Sequence, residues 1–259
     1  MTGCAVLVAQ SGFRRSLPAY RFTRCLLDLL RLVQRHRAMC AGWPLAEVDH
    51  ALPRDALVAA INADMLTCFA VSPGHGEQLF MDEIRTDWQQ LRAEVGVQSA
   101  EMLFLRHCRL IGKILGRIVL FAEHWPGQDR DGLVADYADH LPALAECLGQ
   151  IRGMCCGVAA QAHCSAFKRA RLLFLCSSAN ALLATARQRY RGVSPPVEAL
   201  VASTATECLL HIVRAGFLRE RVDYPVGAFY RTATESIDTV FAWIARIGVD
   251  LAGALGVNE

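Results

Sequence analysis

The sequence predicts an all-α protein of eight helices, arranged as two antiparallel four-helix bundles related by a pseudo-twofold. Three observations lead there. Every long segment repeats its apolar residues at steps of three and four, the helical period, and none alternates convincingly in the two-residue period of a strand. Breaks rich in proline and glycine divide the chain, with four helical segments before Trp125-Pro126-Gly127 and four after it. The first helix of each set carries the same short pattern, Arg37-Ala38-Met39-Cys40-Ala41-Gly42 and then Arg152-Gly153-Met154-Cys155-Cys156-Gly157, and 115 residues separate the two arginines. The expected layout is an N-terminal tail (1–17), a first four-helix half (18–125) and a second (128–256), together one unit.

The first helix is expected from about Pro18 to Gly42, with Ser16 as its N-cap and one stripe through Phe22, Leu26, Leu30, Val33, Arg37 and Cys40. The second runs from about Leu45 or Pro53 to Val71, since Pro53 suits a first turn, and Ser72-Pro73-Gly74-His75-Gly76 ends it. The third, about Glu77–Val95, is the most polar and is expected outermost. Ser99 opens the fourth, which continues to about His124. The fifth covers about Asp131–Gln161 with a stripe at Leu133, Tyr137, Leu141, Leu144, Leu148 and Cys155, and Pro142 inside it predicts a kink or a fresh start. The sixth covers about Ser165–Tyr190, with Arg187 and Arg189 in the last turn, where the helix dipole favours positive charge. Ser194-Pro195-Pro196 caps the seventh, about Pro195–Arg219, and Tyr224-Pro225-Val226-Gly227 separates it from the eighth, about Ala228–Ala254.

Bulk composition narrows the function. Of 259 residues 53% are hydrophobic, enough for a large core. The net charge of +2, from 27 basic and 25 acidic residues, does not favour a nucleic-acid or membrane-surface role. No apolar run of about 18 residues exists, since the nearest, Leu110–Phe121, is broken by Lys113 and Arg117. Met1–Arg15 lacks the basic region of a signal peptide. The eleven cysteines mostly fall inside apolar helical patterns, as Cys25, Cys108, Cys147 and Cys176 do, which predicts buried reduced thiols in a cytoplasmic protein. There is no CxxC pair, and Cys155-Cys156 is not a zinc spacing, so no metal is expected.

The repeat itself points to chemistry. In both copies an apolar residue stands four before the arginine and a cysteine three after it, so all three share a helix face. The same offset pairs Leu26 with Leu141, Leu29 with Leu144 and Val33 with Leu148. Arg37 and Arg152 therefore occupy positions where an inward apolar residue is expected, and a guanidinium there is costly unless an anion meets it. One reading is that the two halves aim one arginine each at a shared anion. The plainer one is that each pairs with an acid of the bundle, Glu146 or Asp238 being candidates.

Four stretches resemble the nitrate- and nitrite-sensing (NIT) domain family of bacterial signalling proteins. Gln34-Arg35-His36-Arg37-Ala38-Met39-Cys40 is similar to its first-helix Gln-Arg-Glu-Arg-Gly-Leu-Ser motif, and Leu141-Pro142-Ala143-Leu144-Ala145-Glu146-Cys147-Leu148-Gly149-Gln150-Ile151-Arg152-Gly153 to its later Leu-Pro…Glu-x-Leu-Gly-x-x-Arg-Gly pattern. His107-Cys108-Arg109-Leu110-Ile111 looks like its His-x-x-Leu-Ile helix, and 229–238 like its Phe…Thr-x-x-Ile-Asp segment. The resemblance spans about residues 20–250. It implies a double helical bundle that binds nitrate or nitrite through arginines between its halves: Arg37 and Arg152 on the motifs, Arg35 as a neighbour, and Arg214 by placement on the seventh helix. His36, Ala38 and Cys40 depart from the first motif, and Cys155 and Cys156 replace small or polar residues in the second, so a hydroxyl donor to the anion is expected to be missing. The family usually continues into an output module, so signalling here is expected through a separate protein.

Other residues carry bland readings. His107 suits a satisfied core histidine, His36 a solvent-facing one, and Trp43 and Trp125 packing anchors at helix ends. Glu47-Val48-Asp49-His50 has the Glu-x-x-His form of di-iron bundles, but Glu207 and His211 lack the matching spacing. No Ser-His-Asp set or phosphate loop stands out. The sequence thus predicts a cytoplasmic, non-enzymatic sensor without cofactor or metal. Its expected partners are nitrate or nitrite and a downstream signalling or regulatory protein, with no nucleic acid and no membrane, and a homodimer is left open. The alternatives are a helical adaptor or scaffold with structural arginines, and a metal-dependent bundle enzyme.

Overall fold

The computed structural model describes residues 2–40, 53–122 and 132–254, with side chains from residue 17 onward. Trp43, Glu47-Val48-Asp49-His50 and Trp125-Pro126-Gly127 lie outside the described residues. What is described is helical, in the order α1 (Thr2–Cys40), α2 (Arg54–Ala70), α3 (His75–Glu94), α4 (Ala100–Ala122), α5, α6 (Ala166–Gln188), α7 (Val197–Gly216) and α8 (Val226–Ala254). α5 is built from Leu133–Ala135, a π-helical turn at Asp136–His140 and Leu141–Gln161, which run on from one another. Among the described residues no strand occurs; an isolated bridge joins His163 to Arg221.

Local chemistry explains the helix ends. The Ser99 hydroxyl accepts from the Met102 N–H at 3.2 Å, and the Ser165 hydroxyl from the Lys168 N–H at 3.3 Å, each satisfying a first-turn donor. Pro142 sits in the first turn of Leu141–Gln161, where its missing N–H costs nothing, and the π turn just before it absorbs the irregularity expected there. One boundary differs from the sequence reading: α1 starts at Thr2 rather than after Ser16 and carries Pro18 inside it, whereas the N-cap of α7, Pro196, falls within the expected Ser194-Pro195-Pro196 cap.

Helix packing repeats between the halves. In the first, α1 packs on α2 and α4, and α3 on α2 and α4; in the second, α5 packs on α6 and α8, and α7 on α6 and α8. The first helix of each set thus holds the same place, as a pseudo-twofold requires. The halves meet where α1 lies against α5, with α4 and α8 beside that seam. Leu26, Leu29 and Val33 on α1 and their repeat partners Leu141, Leu144 and Leu148 on α5 are all fully buried. Polar contacts pin the register: the Tyr20 hydroxyl donates to the Gly248 carbonyl at 3.0 Å, and its ring stacks on Tyr137 at 6.1 Å. No described helix is long and apolar enough to cross a membrane.

Candidate functional site

The seam between the halves holds the two repeat arginines. Arg37, on the last turn of α1, and Arg152, in the middle of α5, are each 1% exposed, among the largest fully buried side chains described. Two glycines of α5 make room at the seam, one for Arg37 and one for the Phe104 ring beneath it. A Cβ on Gly149 would stand 2.6 Å from Arg37 Nη2, and one on Gly153 would stand 2.6 Å from the Phe104 ring. The glycines flanking this stretch of α5 are thus demanded by close approach, although glycine weakens a helix interior.

Arg37 is fully paired. Its Nη1 donates to Glu146 Oε1 at 2.5 Å and its Nη2 to Oε2 at 3.1 Å, a two-pronged contact. Nη1 also reaches Cys108 Sγ at 3.2 Å, and the guanidinium lies over the Phe104 ring at 5.2 Å. Glu146 accepts two further bonds, from Gln34 Nε2 and Gln150 Nε2, both at 2.9 Å. Burial alone would lower the Arg37 pKa, but the Glu146 carboxylate outweighs it and the net shift is upward.

Arg152 is not. Its Nη1 donates to Thr234 Oγ1 and its Nη2 to the main-chain carbonyl of Gln34, both at 3.0 Å, and its ring-facing side covers Tyr230 at 5.4 Å. These acceptors are neutral. Nε has no partner, and no carboxylate among the described residues lies within ion-pairing distance. Burial pulls the Arg152 pKa down and the Arg37 charge adds to that pull, while Tyr230, Cys156 and Asp238 oppose it. Gln34 links the two arginines, its carbonyl on one and its amide on the other's carboxylate, and its own side-chain oxygen is buried without a donor. Arg37 and Glu146 cancel, so the seam keeps one positive charge, on Arg152.

The other expected ligands lie elsewhere. Arg35 joins Arg31 on Asp238 of α8, at 3.1 and 2.7 Å, in a half-exposed clasp that ties α1 to α8 on the outer side of the seam. Arg214 is exposed on α7, where its charge acts on Cys176. The expected equivalence of Arg37 and Arg152 does not hold in their partners: one has a carboxylate and the other has not. A hydroxyl does meet Arg152, that of Thr234 on α8, which accepts from its Nη1. His36, expected at the surface, is buried against Trp88 with ring centroids 4.7 Å apart. Gln34, Thr234, Tyr230 and Phe104 were not singled out as site residues. Gln34, Thr234 and Tyr230 lie inside motif stretches, where the sequence signals them; Phe104 carries no such signal beyond its apolar register.

The chain is similar to the solved structure of the NasR transcription antiterminator, with 14% sequence identity, a TM-score of 0.73, and coverage of 97% of this chain and 72% of that one. That likeness is one of fold. No family model and no curated protein matches the chain.

Proposed function

We propose that this chain is a regulatory sensor unit that binds nitrate or nitrite at the α1–α5 seam and passes the resulting change in helix packing to a downstream signalling partner. The observation that carries this reading is Arg152, a fully buried guanidinium with only neutral acceptors beside a neutralised Arg37–Glu146 pair. A buried charge left so is costly, and one monoanion removes the cost. Planar oxyanions match the planar guanidinium fork, and Thr234 supplies a hydroxyl able to turn and donate. The four motif stretches and the fold shared with a transcription antiterminator support the same reading.

Both guanidinium groups are closed off from solvent, so an anion enters only as α5 parts from α1 or α8. Binding is thereby coupled to the arrangement of the halves, which is what a sensor requires. The protein acts by binding and not by catalysis, in the cytoplasm, without nucleic-acid contact of its own. Calorimetric titration with nitrate, nitrite and chloride tests this. One equivalent of nitrate or nitrite bound more tightly than chloride supports it, and no heat from either oxyanion at millimolar concentration counts against it.

A further inference from the structure

A second cluster lies beside Arg37, and none of its three side chains is hydrogen-bonded to either arginine. His36 and Cys40 stand four residues apart on α1, on one face, and His107 reaches them from α4. All three are buried, and one ligand atom from each lies within 4.8 Å of the others. The His107 Nδ1 faces the Leu103 carbonyl at 2.6 Å, so it carries the proton and leaves the Nε2 lone pair turned inward. That Nε2 lies 2.8 Å from His36 Nδ1, and Cys40 Sγ lies 3.5 Å from the same Nδ1. A carbonyl holding the outer nitrogen of a histidine is the usual second partner of a metal-bound imidazole.

We propose that His36, Cys40 and His107 form a binding site for a thiophilic d10 cation, Cu(I) or Zn(II). Metal–nitrogen bonds of about 2.0 Å and metal–sulfur bonds of about 2.3 Å place ligand atoms roughly 3.3–3.6 Å apart in a tetrahedral site. The sulfur–nitrogen spacing of 3.5 Å already fits. The two imidazoles, at 2.8 Å, need to part by about half an ångström. Burial holds both imidazoles neutral near pH 7, His36 falling to about 4 and His107 to about 3, so their lone pairs are available. On binding, the His36 proton moves from Nδ1 to Nε2 and the Cys40 thiol gives its proton to solvent, so one proton leaves per metal bound.

Charge distinguishes the two cations. Two neutral imidazoles and one thiolate make a neutral site with Cu(I) and a singly positive one with Zn(II). Arg37 follows His36 in the chain and its charge bears on His107, while Arg54 and Arg92 bear on His36. A neutral complex is the better fit to those surroundings, and soft thiolate ligands suit Cu(I).

The test uses the full chain, purified anaerobically and stripped by chelator. It is titrated in separate arms with Cu(I) and Zn(II), each against a chromophoric competitor, and Co(II) serves as a spectroscopic probe of thiolate coordination. One tight equivalent is expected, with a thiolate-to-cobalt charge-transfer band. Cys40→Ser, which changes one atom, should weaken binding at least tenfold and remove the band while circular dichroism stays unchanged. Cys208→Ser, at an exposed thiol on α7, should alter neither. The absence of stoichiometric binding of both cations, or equal binding by Cys40→Ser and the unaltered chain, overturns the proposal.

Discussion

Arg152 donates to the main-chain carbonyl of Gln34 at 3.0 Å, and the Gln34 amide in turn donates to Glu146 at 2.9 Å. The two arginines of the repeat are thus joined through one residue of α1, yet only Arg37 meets a carboxylate. This asymmetry sets what each substitution should do.

Arg37→Met removes one partner of a buried pair and strands Glu146. It should cost about 3–5 kcal/mol of stability. Arg152→Met removes a charge with no counter-charge, so stability should stay level or rise, while nitrate affinity is lost. Melting temperature and nitrate titration on the same two variants check this. A destabilised Arg152→Met with unchanged anion affinity would make Arg152 structural and end the sensor reading.

Nitrate or nitrite should raise the melting temperature of the unaltered chain. At about 100 times its dissociation constant a ligand adds about 2.7 kcal/mol. For a chain of this size that is roughly 5–10 °C. Chloride, a single sphere with no pair of oxygens to match the two parallel donors of a guanidinium, should shift it less. Scanning fluorimetry in matched sodium salts decides the point.

Gly149→Ala should damage the seam, because its Cβ would lie 2.6 Å from Arg37 Nη2, which is already held by Glu146. Overpacking of this kind costs typically about 1–3 kcal/mol. Gly112→Ala, on α4, meets nothing within 4 Å and should instead stabilise by up to about 1 kcal/mol through helix propensity. Urea denaturation of both variants gives the contrast.

Metal-free protein should lose stability in mild acid through the histidine pair. His36 and His107 have folded pKa values lowered to about 4 and about 3, first by burial. Their unfolded values lie near 6.5. The unfolded chain therefore binds more protons below that point, so the contribution is fully present above pH 6.5 and is lost as pH falls towards 3. Each proton adds a slope of about 1.4 kcal/mol per pH unit. A His36→Gln variant should flatten this part of the stability–pH curve; an unchanged curve would mean that the pair is not neutral in the fold.

The sequence by itself determined the helical class, the position of nearly every break and the inward register of the arginines. These are local properties: the apolar period marks a helix and its buried face, and proline or glycine marks where it stops. By that measure Val33, Arg37 and Cys40 were bound to face inward together, as were Leu148, Arg152 and Cys155, and all six are buried. The tertiary structure decided the partners. Glu146 lies on α5, the helix of Arg152, but it pairs with Arg37 of α1, and His107 meets His36 across 71 residues. Periodicity states which face a side chain occupies but not how far one helix slides along another or at what angle they cross. Those follow from ridges and grooves summed over the whole interface, so the carboxylate could be named as a candidate from the sequence, and only packing could assign it to one arginine and leave the other without.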